Sequence, residues 1–430
     1  MAGDKMKGRY KKFFRAGSFV SALTGLLILT ARADDTCLEC HRQMEENLQE
    51  PTLHIEADVH YQRGISCAGC HGGDPKEEDP DLSMSPAKGF VGVPKPQQIP
   101  SFCARCHSDV EYMKHFNPKL PTDQLAQYRT SVHGKQLAKG DTNVATCISC
   151  HGVHGILRPT DTRSPVFKAN IPKTCAGCHA DKKRMAVYKI PTSQYHDYLE
   201  SVHGKLLLVK KELSAAACTD CHGNHGASPP GLSDVAGACG ECHPSNRDLF
   251  EKSPHKEPFQ KAKLPQCVAC HSNHKVLPPT DEFLGVGEGA ICIHCHKAGT
   301  KGYETSAAFK VLLDSLKDAM EEARRLVKRA EIAGVKVGLT KFDLRACEDA
   351  VVRSRSELHS FNLADFRALI QDGVAKAERV KKASLVSLED LEIRRKGLIF
   401  SAVLILFLCI GLWLKIRKLD RERENPSVKS

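Results

Sequence analysis

Eighteen of the twenty cysteines in this 430-residue chain stand in nine Cys-x-x-Cys pairs, and every pair is followed at once by histidine. The cysteines are Cys37 and Cys40, Cys67 and Cys70, Cys103 and Cys106, Cys147 and Cys150, Cys175 and Cys178, Cys218 and Cys221, Cys239 and Cys242, Cys267 and Cys270, and Cys292 and Cys295. The histidines are His41, His71, His107, His151, His179, His222, His243, His271 and His296. Two thiols at this spacing can add across the two vinyl groups of a haem as thioethers, and the imidazole that follows then reaches the iron. Zinc sites also use Cys-x-x-Cys pairs but do not require a histidine after every second cysteine. A set of disulfides would not repeat one spacing nine times. The sequence therefore predicts nine covalently attached c-type haems, with these nine histidines as proximal ligands.

Twelve further histidines do not close a motif. His294 sits between Cys292 and Cys295 and is too constrained to reach another iron. Eleven remain for nine sixth positions, enough for bis-histidine ligation throughout. The stretch "CISCHGVHG" at 147–155 has close copies at 218 and 267. Its second histidine is too near the first to reach the far face of the same haem, so it is expected on a neighbouring one. This gives His154, His225 and His274 as distal ligands. His133, His203 and His255 recur 12 to 15 residues before a motif and form a second set. Together these six would serve motifs four to nine. The second motif reads "CHGGD", with Asp74 where the others have histidine. His60 matches the upstream ligand there, leaving His54 and His115 to complete the first three irons. His196 replaces Ala126 of the aligned repeat and reads as a surface residue. His359 reads as a surface or packing histidine; if it ligates, it docks the tail onto a haem.

The elements that must hold these groups follow from the repeat. "PTDQLAQYRTSVHGK" at 121–135 realigns without a gap on "PTSQYHDYLESVHGK" at 191–205. Degenerate copies precede Cys267 and Cys67, so one haem is followed by four two-haem modules. With a haem about every 29 residues between Cys37 and His296, the porphyrins replace an aliphatic core. Frequent Gly and Pro predict short helices and long loops. The expected fold class is mainly α with extensive loops: a cytochrome domain over residues 34–300 wrapped on stacked haems, a charged helical hairpin or stalk over 301–396, and one C-terminal transmembrane helix. In the stalk, Phe309, Leu312, Leu316, Ala319, Ala323, Leu326 and Ala330 keep helical spacing, and a second helix carries Leu344, Cys347, Val351 and Ser354.

The run "LIFSAVLILFLCIGLWL" at 398–414 has no charge and is long enough for a span over 397–416, with Trp413 at an interface. Residues 1–33 join a basic start, an apolar segment and an Ala-Arg-Ala site. They read as a signal peptide cleaved after Ala33, with an uncleaved anchor as the other reading. Haem attachment on the exported side leaves residues 417–430 in the cytoplasm. The formal net charge is +11. Residues 1–33 account for +6 of it, and nine haems bring eighteen propionates, so the charge gives no nucleic-acid signal.

These motifs resemble those of the multihaem c-type cytochromes of anaerobic respiratory chains. NapC/NrfH-type quinol dehydrogenases are similar in idea but have an N-terminal anchor and fewer haems. The resemblance implies a membrane-anchored nonahaem electron conduit in the inner membrane, its haem domain on the periplasmic side. Its expected partners are a quinol-oxidising or cytochrome b-type membrane subunit and periplasmic cytochromes or reductases. The competing reading is a reductase for nitrite, hydroxylamine or a sulfur oxyanion with one open haem. Such enzymes often carry a Cys-x-x-Cys-Lys motif, and none occurs here. No catalytic side chain is expected.

Overall fold

The computed structural model describes residues 35–231 and 235–424. The signal segment and the last six residues of the expected cytoplasmic tail lie outside the described residues. Among the described residues there is no strand; helices and loops make up the whole fold. The chain divides into two compact units at Val93/Pro94, inside the segment expected as one cytochrome domain.

The first unit carries motifs one and two on the short helices Thr36–Arg42 and Cys67–His71. Thr36 ties the first helix down by donating to the carbonyls of Pro75 (3.0 Å) and Glu77 (2.9 Å). The loop after His71 folds back on it, with Val91 N–H donating to the His71 carbonyl at 2.7 Å. Asp74 closes that loop through Lys88 at 2.8 Å. The hydrogen bond from Lys88 holds its carboxyl below the usual carboxylate range. Asp74 is therefore a loop clasp.

In the second unit the repeated Tyr-x-x-Ser-Val-His-Gly stretch builds the same corner twice. Ser131 and Ser201 are fully buried. Each caps the following helical turn by accepting from Gly134 N–H or Gly204 N–H, and donates to the carbonyl of Tyr128 or Tyr198 at 2.6 Å. The glycines are obligatory, because a Cβ at either would overlap that same tyrosine carbonyl oxygen. The tyrosine hydroxyls reach forward to Ala145 O and Ala216 O, both at 2.8 Å, and fix the corner against the next motif. Val132 N–H then donates to Ala227 O, and Val202 N–H to Val276 O. Each corner is thus stitched to the segment just past the second histidine of the following module.

Three long helices follow: Lys301–Ile332, Gly338–Glu357 and Leu363–Glu424. The first two and the start of the third bury one face each around Phe309, Leu313, Leu316, Cys347, Ala350, Phe366, Ile370 and Val380. Gly373 lets the third helix approach closely, since a Cβ there would press on Leu316 and Ala350. The first helix is about 48 Å long. At its far end Arg395 donates to Ala333 O at 3.3 Å, so the tip of the hairpin lies just before the apolar run of the third helix. That run is not covered by the rest of the protein, and its helix is the one among the described residues long and apolar enough to cross a membrane. Arg417 stacks over Trp413 at 4.5 Å, a pairing suited to a membrane interface. The length and composition of this helix suggest a single-pass anchor.

The stalk is fastened at its near end by Asp281, which binds Lys317 of the first long helix and Arg355 of the second, the latter at 3.0 Å. Burial pushes the Asp281 carboxyl up, but the two cations outweigh it and hold it below its ordinary value. A depressed carboxyl stabilises above its unfolded value of about 3.9 and loses that contribution as pH falls through the lower native value. Asp281→Asn should cost about 1 kcal/mol at neutral pH. Limited proteolysis of the stalk at pH 7 checks this: the variant should be cut more readily than the wild type. Equal protection of the two proteins at pH 7 would reject the fastening.

Candidate functional site

Seven of the nine Cys-x-x-Cys-His units lie wholly on short helices, as in Cys147–His151, Cys218–His222 and Gln266–His271, whereas the seventh and ninth begin on helical turns that end at Gly240 and His294. One turn presents both thiols and the imidazole to the same side. None of the twenty cysteines forms a disulfide. Among the described residues no group of three or more His, Cys, Asp or Glu converges as a metal cage. The histidines instead meet in pairs.

Among the described residues of the second unit, six such pairs stand out. His133 faces His179 at a ring-centroid separation of 6.1 Å, His225 faces His151 at 6.2 Å, and His203 faces His243 at 6.4 Å. His274 faces His222 at 5.9 Å, His255 faces His296 at 5.8 Å, and His359 faces His271 at 6.1 Å. Two imidazole nitrogens each about 2 Å from a shared metal place their ring centroids roughly 6 Å apart. The observed separations fit one iron between the rings. The chemistry of the donor set thus matches a haem with two axial imidazoles.

The protonation states agree. Carbonyl oxygens only accept, so hydrogen bonds from Nδ1 of His41 to Leu48 O (3.0 Å), of His71 to Val91 O (3.1 Å) and of His222 to Ser228 O (3.2 Å) fix the proton on Nδ1. The Nε2 lone pair is left for a metal. His60 is oriented in the same way by Asp58, at 3.1 Å from Nδ1. Burial first, and the facing proximal imidazole second, push His133, His203 and His255 below the ordinary histidine value. Burial does the same for His225 and His274. All five are neutral at pH 7, the form that ligates.

The motifs also lie in sequence order. In the first unit Cys37 and Cys67 are within electrostatic reach. In the second, the thiols of Cys103 and Cys147, of Cys175 and Cys218, and of Cys239 and Cys267 lie close enough to act on one another. The thiols of Cys150, Cys221 and Cys270 feel those of the following motif, Cys175, Cys239 and Cys292 among them. Motifs three to nine form a continuous series.

The paired partners include His133, His203, His225, His255 and His274 of the expected distal set. His154 is half-buried. His54 ends the Glu50–Leu53 helix and His115 lies on Val110–Phe116, both exposed. His196 is a surface residue bound to Glu200 at 3.0 Å. His359 was expected as a surface or packing residue, yet it faces a proximal histidine. Its isolation from any haem motif hid it: six other histidines, His154 among them, were expected to serve motifs four to nine, and His359 instead stands opposite the proximal residue of motif eight.

Residues 59–180 match the cytochrome c3 family and residues 21–72 the cytochrome c554 and c-prime family. The chain is 23% identical over 337 residues to the multiheme cytochrome MtrA of Shewanella baltica, covering 69% of this chain and 83% of that protein. It is 22% identical over 165 residues to the C-type polyheme cytochrome OmcC of Geobacter sulfurreducens, covering 34% of this chain and 20% of that protein. No solved structure matches. Motifs, paired imidazoles and relatives together define the class: the chain is a multihaem c-type cytochrome.

Proposed function

We propose that this cytochrome carries nine haems and moves single electrons along them between a quinol-linked membrane partner and periplasmic carriers or reductases. The observation that carries this reading is the six imidazole pairs, each placed to fill both axial positions of an iron. Bound haem supplies one-electron redox chemistry, and a six-coordinate iron has no position for a substrate. The protein's part is to hold both imidazoles and to keep successive motifs adjacent. His54, His60, His115 and His154 are the candidates for the first three motifs.

The haem domain faces the periplasm and is held on the inner membrane by the C-terminal helix. From Leu363 to Gly397 the third helix rises about 50 Å. This separation supports a protein donor over a quinol bound by this chain next to its own anchor.

Intact mass and film voltammetry test the proposal. The holoprotein should exceed its apo-chain by nine haem masses, and a count of seven or fewer would contradict it. Adsorbed on an electrode, it should give a reversible envelope integrating to about nine electrons per molecule, one per haem iron. Addition of nitrite or hydroxylamine should leave that envelope unchanged. A catalytic current would favour the reductase reading.

A further inference from the structure

The repeat contains a ligand rule that runs out at its end. The second histidine of motif six, His225, faces motif four, and that of motif eight, His274, faces motif six. Each even motif here is served by the next even motif. Residues 297–430 contain no further Cys-x-x-Cys-His unit to serve motif eight. His359, in the corner between the second and third long helices, stands in that place. Its ring lies 6.1 Å from His271 at 23°, close to the 5.9 Å and 9° of His222 with His274. We propose that His359 is the sixth ligand of the motif-eight haem iron, which makes this corner the terminal cap of the haem array. The proposal rests on the haem reading of motif eight.

The corner is built for the task. Nδ1 of His359 donates to Ser356 O at 2.9 Å, which leaves Nε2 as the free lone pair. Phe283 also lies parallel to His271, at 6.3 Å, but an aromatic hydrocarbon has no lone pair to offer. Phe361 adopts the left-handed backbone at φ 50°, a strained choice for an aromatic residue that persists only where the surroundings impose it. Its ring packs 4.0 Å from His255, the imidazole facing motif nine. One short turn thus touches the axial groups of the last two motifs. Arg355, four residues before His359, grips Asp281 on the loop that carries Phe283. Ligation would join the stalk to the haem array through the metal as well as through packing.

The test uses the full-length holoprotein with His359→Ala and His359→Met, and His196→Ala as a surface control. In the alanine variant, attachment should be unchanged by mass, because it needs only the cysteines and the proximal histidine. The oxidised spectrum should gain high-spin ferric signal equal to one haem per molecule, and the reduced protein should bind one equivalent of carbon monoxide. In the methionine variant the high-spin signal should be absent, a near-infrared sulfur-to-iron band should appear, and the potential of one haem should rise. The control should match the wild type. If the alanine variant does not accumulate, the methionine variant decides: the band supports the assignment and its absence overturns it. A fully haem-loaded, wholly low-spin alanine variant that takes up no carbon monoxide overturns it too. A wild type with no haem on motif eight would overturn the haem reading itself, a result that the mass of the proteolytic peptide carrying Cys267 and Cys270 distinguishes.

Discussion

Gly204→Ala should destabilise the holoprotein by about 3 kcal/mol, through overpacking that cannot relax. The added methyl would overlap the Tyr198 carbonyl oxygen, and that oxygen is already held by the buried hydroxyl of Ser201. Three partners meet there, so none can give way alone: Ser201 is fully buried and Tyr198 is fastened to Ala216 O. Relief requires rotating the turn that carries His203, the imidazole facing His243. The variant should therefore show a melting temperature lower by on the order of 5–10 °C together with a high-spin contribution from one haem. Gly134→Ala should do the same to His133 and His179, since its corner repeats every contact. Melting curves and oxidised spectra of both variants check this. A protein with unchanged melting and unchanged spin state would show that the corner is not what holds the ligand.

His274→Ala should have the largest effect on electron flow. His274 faces His222, the proximal residue of motif six, in the interior of the series from motif three to motif nine. Its removal leaves an axial position open within the series. One equivalent of carbon monoxide should then bind on reduction, and one haem potential should shift relative to its neighbours. Reduction of the later haems by a donor acting at the earlier ones should slow at least tenfold, a barrier increase of about 1.4 kcal/mol. The stitch from Val202 N–H to Val276 O is a backbone contact and is retained, so thermal stability should fall less than in the glycine variants. Stopped-flow reduction, followed at a wavelength sensitive to ligation, separates the two consequences. An unchanged rate with one carbon monoxide bound would show that electrons bypass motif six.

The sequence carried the attachment chemistry in full, because thioether formation demands a fixed spacing that survives any fold. It also pointed to two candidate ligand sets at fixed offsets from a motif, His154, His225 and His274 and then His133, His203 and His255, and five of these six face a proximal imidazole in the fold. Which iron each one serves was not legible. That depends on how modules stack, and the stitches from Val132 to Ala227 and from Val202 to Val276 join residues 95 and 74 positions apart. Asp74 looked like a missing ligand, whereas in the fold it clasps Lys88. His359 was hidden for the opposite reason: it lies among the charged helices, and only the fold brings it to His271. The helical character of residues 301–396 could be read from apolar periodicity. The fastening at Asp281 could not, because it joins a loop to two helices by charge alone.

The central claim is that every iron is closed by two imidazoles and that the protein conducts electrons without turning over a substrate. Spin-quantified electron paramagnetic resonance of the fully oxidised, full-length holoprotein tests it most directly. The account expects all ferric intensity in low-spin signals of bis-imidazole type, summing to the covalently attached haem count once magnetic coupling between neighbours is included. High-spin intensity amounting to one iron or more per molecule in the unmodified protein would contradict it, and would place an open site in the array.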